Sequence, residues 1–270
     1  MEKTNIGLIC GYGLLPEVFI QKTYKNYNLF VVSFKNFFPK NIRKYTDNFF
    51  ILKNWELQKI IDYFKNNSVK NIVFLGYIPH LLLLKKNNFL NMDLRTKNMF
   101  NKLPTYKALN IFHALVEEFQ KENITIEPLN KFLESEFAPS GSINNLELTE
   151  FDLENIKFGY DIAKQLSALD VGLTTVVKNK IVIALEAAEG TDNCILRGYK
   201  IAGKNCYVIK VARPQQDMRF DLPVIGPRTI KIANRAKVSA IAVESKKTLI
   251  LNKQEVIEKS KKLKIKLYGI

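Results

Sequence analysis

Three stretches of the chain gather the residue types that phosphate chemistry needs. The first, Glu186-Ala187-Ala188-Glu189-Gly190-Thr191-Asp192, directly follows the apolar run Ile181–Leu185. Carboxylates, a glycine and a hydroxyl at a strand end suit a divalent cation that holds phosphate oxygens, since hard cations take oxygen ligands. The competing reading is that Glu189–Asp192 starts a helix, with Thr191 or Asp192 as its cap. The second stretch runs from Lys210 through Arg213-Pro214-Gln215-Gln216-Asp217-Met218-Arg219-Phe220-Asp221-Leu222-Pro223 to Gly226-Pro227. Lys210, Arg213 and Arg219 suit neutralisation of a diphosphate, arginine being able to bind it through two parallel hydrogen bonds. Asp221 suits a general base for water or a metal ligand, against the alternative of an Asp–Arg pair that only pins the loop. The third is the turn Gly11-Tyr12-Gly13-Leu14-Leu15-Pro16. Glycine there permits close approach of a ligand, and a following helix N-terminus favours phosphate. A purely structural strand–helix turn explains this third stretch equally well.

Absences narrow the chemistry. His80 and His113 are the only histidines, too few for a dinuclear metallophosphoesterase, and His113 lies in a helical stretch that reads as core or boundary. No serine occupies a Gly-x-Ser-x-Gly elbow and no P-loop is present. A dinucleotide fingerprint requires glycine where Pro16 stands and an acidic residue after the second strand, which instead reads Val32-Ser33-Phe34-Lys35. Nicotinamide cofactor binding is disfavoured. Catalysis is left to carboxylates, cations and a metal.

The elements that position these residues alternate. Ile6–Cys10, Leu29–Phe34 and Asn71–Leu75 are apolar strand candidates, a helix is expected from near Pro16, and Leu57–Phe64 and Tyr106–Phe119 carry apolar residues at helical spacing. Such alternation implies a parallel sheet with crossover helices, a Rossmann-like first half. Pro128–Asn145, rich in proline, serine, glycine and asparagine, reads as a linker. Beyond it, Asp152–Leu169 suits a helix, and Thr174–Lys178 with Ile181–Leu185 flank Asn179-Lys180 as a hairpin. Tyr207–Val211, Ala240–Val243 and Leu249–Leu251 are further strands, and Ile225–Arg235 and Gln254–Lys262 further helices. The fold class is α/β: a Rossmann-like N-terminal domain with a parallel sheet over residues 1–135, and a mixed α/β catalytic domain over 136–270.

The chain has 270 residues, 47% of them hydrophobic, enough for two modest cores. Its net charge of +15 comes mostly from scattered lysines, without the clustered arginines and interleaved aromatics of a nucleic-acid module. Attraction to phosphate substrates or to an acidic membrane surface remains. Cys10, Cys194 and Cys206 are isolated and fit a reducing cytoplasm. The N-terminus lacks a secretion signal, and Asn71–Leu84, interrupted by Gly76 and Pro79, is too short to span a bilayer.

Taken in order, Gly11–Pro16, Leu169-Asp170-Val171-Gly172, Ala184–Asp192, Arg219-Phe220-Asp221-Leu222-Pro223 with Ile225-Gly226, and Ala240–Glu244 resemble one family over nearly the whole chain. It is the LpxI-type UDP-2,3-diacylglucosamine diphosphatases of lipid A biosynthesis. The resemblance implies two domains with the lipid substrate between them, a divalent cation (usually Mg²⁺), and hydrolysis of the pyrophosphate bond to UMP and 2,3-diacylglucosamine 1-phosphate. It makes Asp221 the residue on which catalysis hinges and implies water attack at the sugar-side phosphate. Combined with the residue chemistry, the expected catalytic set is Asp221, Asp192 and Glu189, with Asp221 and Asp192 as metal ligands. Gly11, Tyr12, Gly13, Leu14, Gly76, Thr191, Lys210, Gln216, Asp217 and Arg219 are expected to bind substrate. Leu14, Leu15 and the Leu81–Leu84 run are candidate walls for the acyl chains, though packing explains that run at least as well. The implied protein is cytoplasmic, with peripheral contact at the inner membrane surface and a homodimer left open. The alternative is an inactive lipid- or nucleotide-binding protein of the same fold.

Overall fold

Strand β1 (Thr4–Cys10) is buried from Ile6 onward, as a strand covered on both faces must be. It pairs in parallel with β2 (Tyr27–Phe34) and β4 (Asn71–Leu75). β3 (Phe49–Leu52) and β5 (Thr125–Ile126) complete an all-parallel sheet of order β3-β2-β1-β4-β5. The structure is a computed structural model describing residues 3–39, 41–77 and 91–270. It divides into two compact units, Met1–Leu133 with Arg219–Asp221, and Glu134–Met218 with Leu222–Ile270.

In the first unit, helix α1 (Leu15–Thr23) begins one residue before Pro16. Helix α2 (Leu57–Asn66) buries Leu57, Ile60, Ile61 and Phe64, the one-sided stripe of an amphipathic helix. β3, β5 and the helix α3 (Leu94–Asn101) were not anticipated from sequence. This helix is capped by Asp93, whose carboxylate accepts from Thr96 N at 2.7 Å. Helix α4 (Ala108–Gln120) closes the same face, and the core between sheet and helices is dominated by Phe64, Phe119, Ile61 and Ile72. His80 and the Leu81–Leu84 run lie outside the described residues.

The second unit holds a mixed sheet of order β6-β13-β11-β9-β7-β8. Its strands are β6 (Gly141–Ser142), β7 (Thr174–Lys178), β8 (Ile181–Leu185), β9 (Tyr207–Lys210), β11 (Ala240–Val243) and β13 (Lys266–Gly269). β9, β11 and β13 run parallel, while β6 and β7 are antiparallel to their neighbours. The β7–β8 hairpin turns at Asn179 and Lys180, both with positive φ (51° and 57°), the geometry that matches strand twist in a two-residue turn. Two expectations need correction. Gly141–Ser142 of the presumed linker is a sheet strand paired with β13. Ile225, read as the first residue of a helix, instead forms with Val224 the strand β10, paired in parallel with β12 (Leu249–Ile250); Pro223 and Pro227 hold that segment extended until helix α7 (Pro227–Arg235) can begin.

Helix α5 (Glu150–Ala168) starts in a capping box between Thr149 and Asp152. Asp152 is buried and also accepts from Tyr207 Oη at 2.7 Å and from Lys266. Burial alone would raise its carboxyl, but the bonds from Lys266, the Thr149 amide and Tyr207 outweigh it and hold the group at about 2. The three cysteines are free and buried, Cys10 in the first unit, Cys194 and Cys206 in the second. Burial raises all three thiols, Cys194 to about 12. Among the described residues, no helix is long and apolar enough to cross a membrane.

Candidate functional site

The order of the first sheet reverses between β1 and β4, the place where open α/β sheets take ligands beyond the carboxyl ends of their strands. The two loops leaving those strands are bonded together. Gly11 N donates to Leu75 O at 2.7 Å, Tyr12 N to Tyr77 O at 2.7 Å, and Tyr77 N to Tyr12 O at 2.8 Å. Gly76 makes this possible: its φ is +85°, and a Cβ there would stand 2.7 Å from the Tyr12 carbonyl oxygen. At Gly13, no described residue other than its chain neighbours comes within 4 Å of where a Cβ would sit. Leu14 leads into α1 without a side-chain cap, so amides at that helix start keep their hydrogen-bonding capacity. Gly11, Tyr12, Gly13, Leu14 and Gly76 therefore meet at one edge. Leu15 does not join them, being packed into the core.

Arg219 and Asp221 also belong to this unit. Between them the Phe220 ring stacks on Phe112 of α4, with centroids 4.1 Å apart and planes 7° apart. Asp221 is exposed and takes a left-handed φ of 49°, which aspartate tolerates better than most residues. His113, expected in the core or at its boundary, is exposed on α4, 6.3 Å from Phe220 between ring centroids.

In the second unit the carboxyl edge is built from side chains. Lys210, the last residue of β9, is buried, and its Nζ donates to Thr191 Oγ1 at 2.7 Å and to Thr174 Oγ1 at 3.4 Å. Thr191 in turn donates to Glu186 Oε1 at 2.8 Å, and Glu186 Oε2 lies 3.8 Å from Lys210 Nζ. Glu186 also accepts from Leu173 N at 3.3 Å. Gly172 is required for this approach, because a Cβ on it would fall 2.2 Å from the Glu186 carbonyl oxygen. Helix α6 (Thr191–Ala202) has Gly190 as its N-cap with no side-chain cap bond. That corrects the reading of Thr191 or Asp192 as a cap: Thr191 is the first helical residue and spends its hydroxyl on the Glu186–Lys210 cluster.

The acids of the Glu186–Asp192 stretch diverge. Glu186 turns into this cluster, Glu189 pairs with Arg197, and Asp192 pairs with Arg228 Nε at 2.6 Å. The hydrogen bond from Arg197 holds the Glu189 carboxyl below its ordinary range. Arg213, proposed above for phosphate, lies 2.8 Å from Asp170. Gln216 accepts from Arg213 N at 3.3 Å and donates to the Asp217 carbonyl at 3.0 Å, which closes the turn that carries both. The start of the loop is fixed by buried Glu244, which accepts from Ala212 N at 2.9 Å and from Lys164 at 3.0 Å. Burial would raise the Glu244 carboxyl, but bonds from Lys247, Lys164 and the Ala212 amide bring it below its ordinary value.

Among the described residues, no three or more His, Cys, Asp or Glu side chains come together to hold a metal ion. A pre-built cage of the calcium or zinc kind is thus not what these donors form. Magnesium sites commonly rest on one or two carboxylates plus the phosphates of the ligand, a form that needs no such group.

Sequence reasoning missed Glu186 and Thr174 as partners of Lys210, and Glu244 as the anchor of its loop. Glu186 stood in the quoted motif, yet nothing in its type separates it from Glu189. Only the strand end at Leu185 predicts that the next side chain turns inward.

A Rossmann-like parallel unit, followed by a mixed-sheet unit with a buried lysine–threonine–glutamate cluster at its carboxyl edge, defines the class. Residues 5–135 match the LpxI N-terminal domain and residues 139–268 the LpxI C-terminal domain, so the chain belongs to the LpxI family. A relative, the UDP-2,3-diacylglucosamine pyrophosphatase LpxI of Caulobacter vibrioides, is 29% identical over 168 residues. The match covers 59% of this chain and 60% of that relative, so the chain spans less than two thirds of the relative's length. The resemblance read from the motifs and the α/β fold both hold.

Proposed function

We propose that the protein hydrolyses the pyrophosphate bond of UDP-2,3-diacylglucosamine, giving 2,3-diacylglucosamine 1-phosphate (lipid X) and UMP in lipid A biosynthesis. The observation that carries this reading is the match of both LpxI domains in order along the chain. Support comes from Asp221 in the Arg219-Phe220-Asp221-Leu222-Pro223 segment and from a buried cation, Lys210, bonded to Thr191.

In this reading water adds to one phosphorus while the bridging P–O bond breaks, and the departing phosphate keeps the bridging oxygen. Asp221 takes the proton from water. Lys210 and Arg219 neutralise the diphosphate, whose charge must be offset before water can attack. Thr191, Gln216 and Asp217, with the Gly11–Leu14 turn and Gly76, hold the nucleotide and its phosphates. Asp192 and Glu189 complete the catalytic acids. Asp221 and Asp192, with the phosphates of the substrate, would hold Mg²⁺, which would supply charge neutralisation. Cytoplasmic residence with peripheral contact at the inner membrane suits an amphipathic substrate and a basic surface.

The test is UMP release from UDP-2,3-diacylglucosamine by purified protein and by Asp221→Ala. The wild type should turn over, and the variant should bind substrate without releasing UMP. Near-normal turnover by the variant would remove Asp221 from the mechanism. Binding without turnover by the wild type would leave the inactive reading. Full activity after exhaustive chelation would eliminate the cation. Run in ¹⁸O-water, the same reaction should label the sugar phosphate and not UMP.

A further inference from the structure

We infer that Tyr12 and Tyr77 form a two-ring platform that stacks the pyrimidine base of a nucleotide, which makes Tyr77 a binding residue alongside Tyr12. The inference rests on the nucleotide-substrate reading above and deepens it.

The two tyrosines sit directly opposite each other and exchange both backbone bonds across an isolated antiparallel bridge. In such a pair the side chains leave the backbone on the same side, a few ångströms apart. The backbone beneath them is fixed, since Gly11 N is also tied to Leu75 O at 2.7 Å. Both rings nevertheless stay in solvent, Tyr12 60% and Tyr77 52% exposed. Aromatic rings normally bury their faces because burial of that area is a large part of their contribution. Here two are held out together at the sheet's switch point, beside Gly13, where a Cβ would meet no described residue beyond its chain neighbours, and beside the uncapped start of α1. The Phe37 ring, 6.4 Å from Tyr12 and edge-on, backs the platform.

The chemistry of the occupant follows from that arrangement. An acyl chain gains most from closed apolar walls, whereas tyrosines exposed over about half their surface suit a flat ligand. A flat heterocycle with polar edges suits them, because every base has a π-face and stacking tolerates exposure at the rim. The neighbouring helix start would then face the phosphates of the same nucleotide.

Calorimetric titration of the full chain with UMP and with ribose 5-phosphate, on wild type, Tyr12→Ala, Tyr77→Ala and the two Tyr→Phe variants, tests this. Each alanine variant should lose about tenfold in UMP affinity, the scale of one base–aromatic stack. Ribose 5-phosphate binding should not change, and phenylalanine should restore UMP. Both rings are exposed, so the alanine variants should keep their fold, which circular dichroism checks. Undiminished UMP affinity in both alanine variants, with a wild type that releases UMP from UDP-2,3-diacylglucosamine, overturns the platform and leaves the activity standing. A parallel fall in ribose 5-phosphate binding overturns it as well. A wild type that neither binds nor releases UMP overturns the activity and the platform together.

Discussion

At the carboxyl edge of the first sheet the available surface is backbone and aromatic ring, with Gly11, Gly13 and Gly76 bringing two loops to a Tyr12–Tyr77 bridge. At the same edge of the second sheet it is a buried hydrogen-bonded set of side chains, Lys210, Thr191, Glu186 and Thr174. Shape at a backbone-built edge depends on residues that lack a Cβ, so it tolerates many side-chain changes and few glycine changes. An edge made from a buried charge and its partners depends on each member, because removing one leaves another unsatisfied in a place water cannot reach. Two ways of building a sheet edge thus fail under different substitutions.

Lys210→Met should do the most damage. It leaves Glu186 without its cation, and unfolding free energy should fall by about 3 kcal/mol, read by far-UV dichroism in urea, together with loss of UMP release. A stable, active variant would mean the second edge does not depend on its charges. Asp152→Asn comes next. The wild-type carboxyl titrates at about 2 when folded, below its unfolded value near 3.9. Its contribution is therefore complete above about pH 4 and vanishes as the pH falls towards 2. The variant should be less stable by about 2 kcal/mol at neutral pH and equal to wild type at the acid end, which denaturation at a series of pH values measures. Gly76→Ala tests the opposite edge: strain at φ +85° and the 2.7 Å approach to the Tyr12 carbonyl should cost about 1–2 kcal/mol. Thermal melts that show no change would mean the loop bridge is dispensable. Smallest of all is Arg197→Ala. This exposed ion pair with Glu189 should be worth under about 0.5 kcal/mol, while the Glu189 carboxyl, held low by Arg197, should titrate higher by carbon-detected NMR.

Much of the architecture was legible because periodicity and turn chemistry agreed. Asn71–Leu75 and the Asn179-Lys180 hairpin fall where the sequence puts them, the first as an apolar run and the second as two turn residues with positive φ between two β-like runs. Less legible were elements whose signal is tertiary. Gly141–Ser142 carries no strand propensity and is extended only because β13 offers it partners. Ile225 joined a helical pattern in sequence, but the flanking prolines keep it in a strand with Val224. At the site, the stretches that hold Lys210, Thr191 and the Gly11–Gly13 turn were recognisable by type and spacing. The partition of three neighbouring acids among Lys210, Arg197 and Arg228 was not, since that depends on which side of a strand end and helix start each faces.

The buried free thiols give each unit its own built-in chemical clock. An alkylating reagent meets a thiolate, and protonated, occluded cysteines are silent towards it. Cys10 can react only when the parallel sheet of the first unit opens, and Cys194 or Cys206 only when the second does. Mass spectrometry of the alkylated peptides over time would therefore report the opening rates of the two halves separately in one unmodified sample.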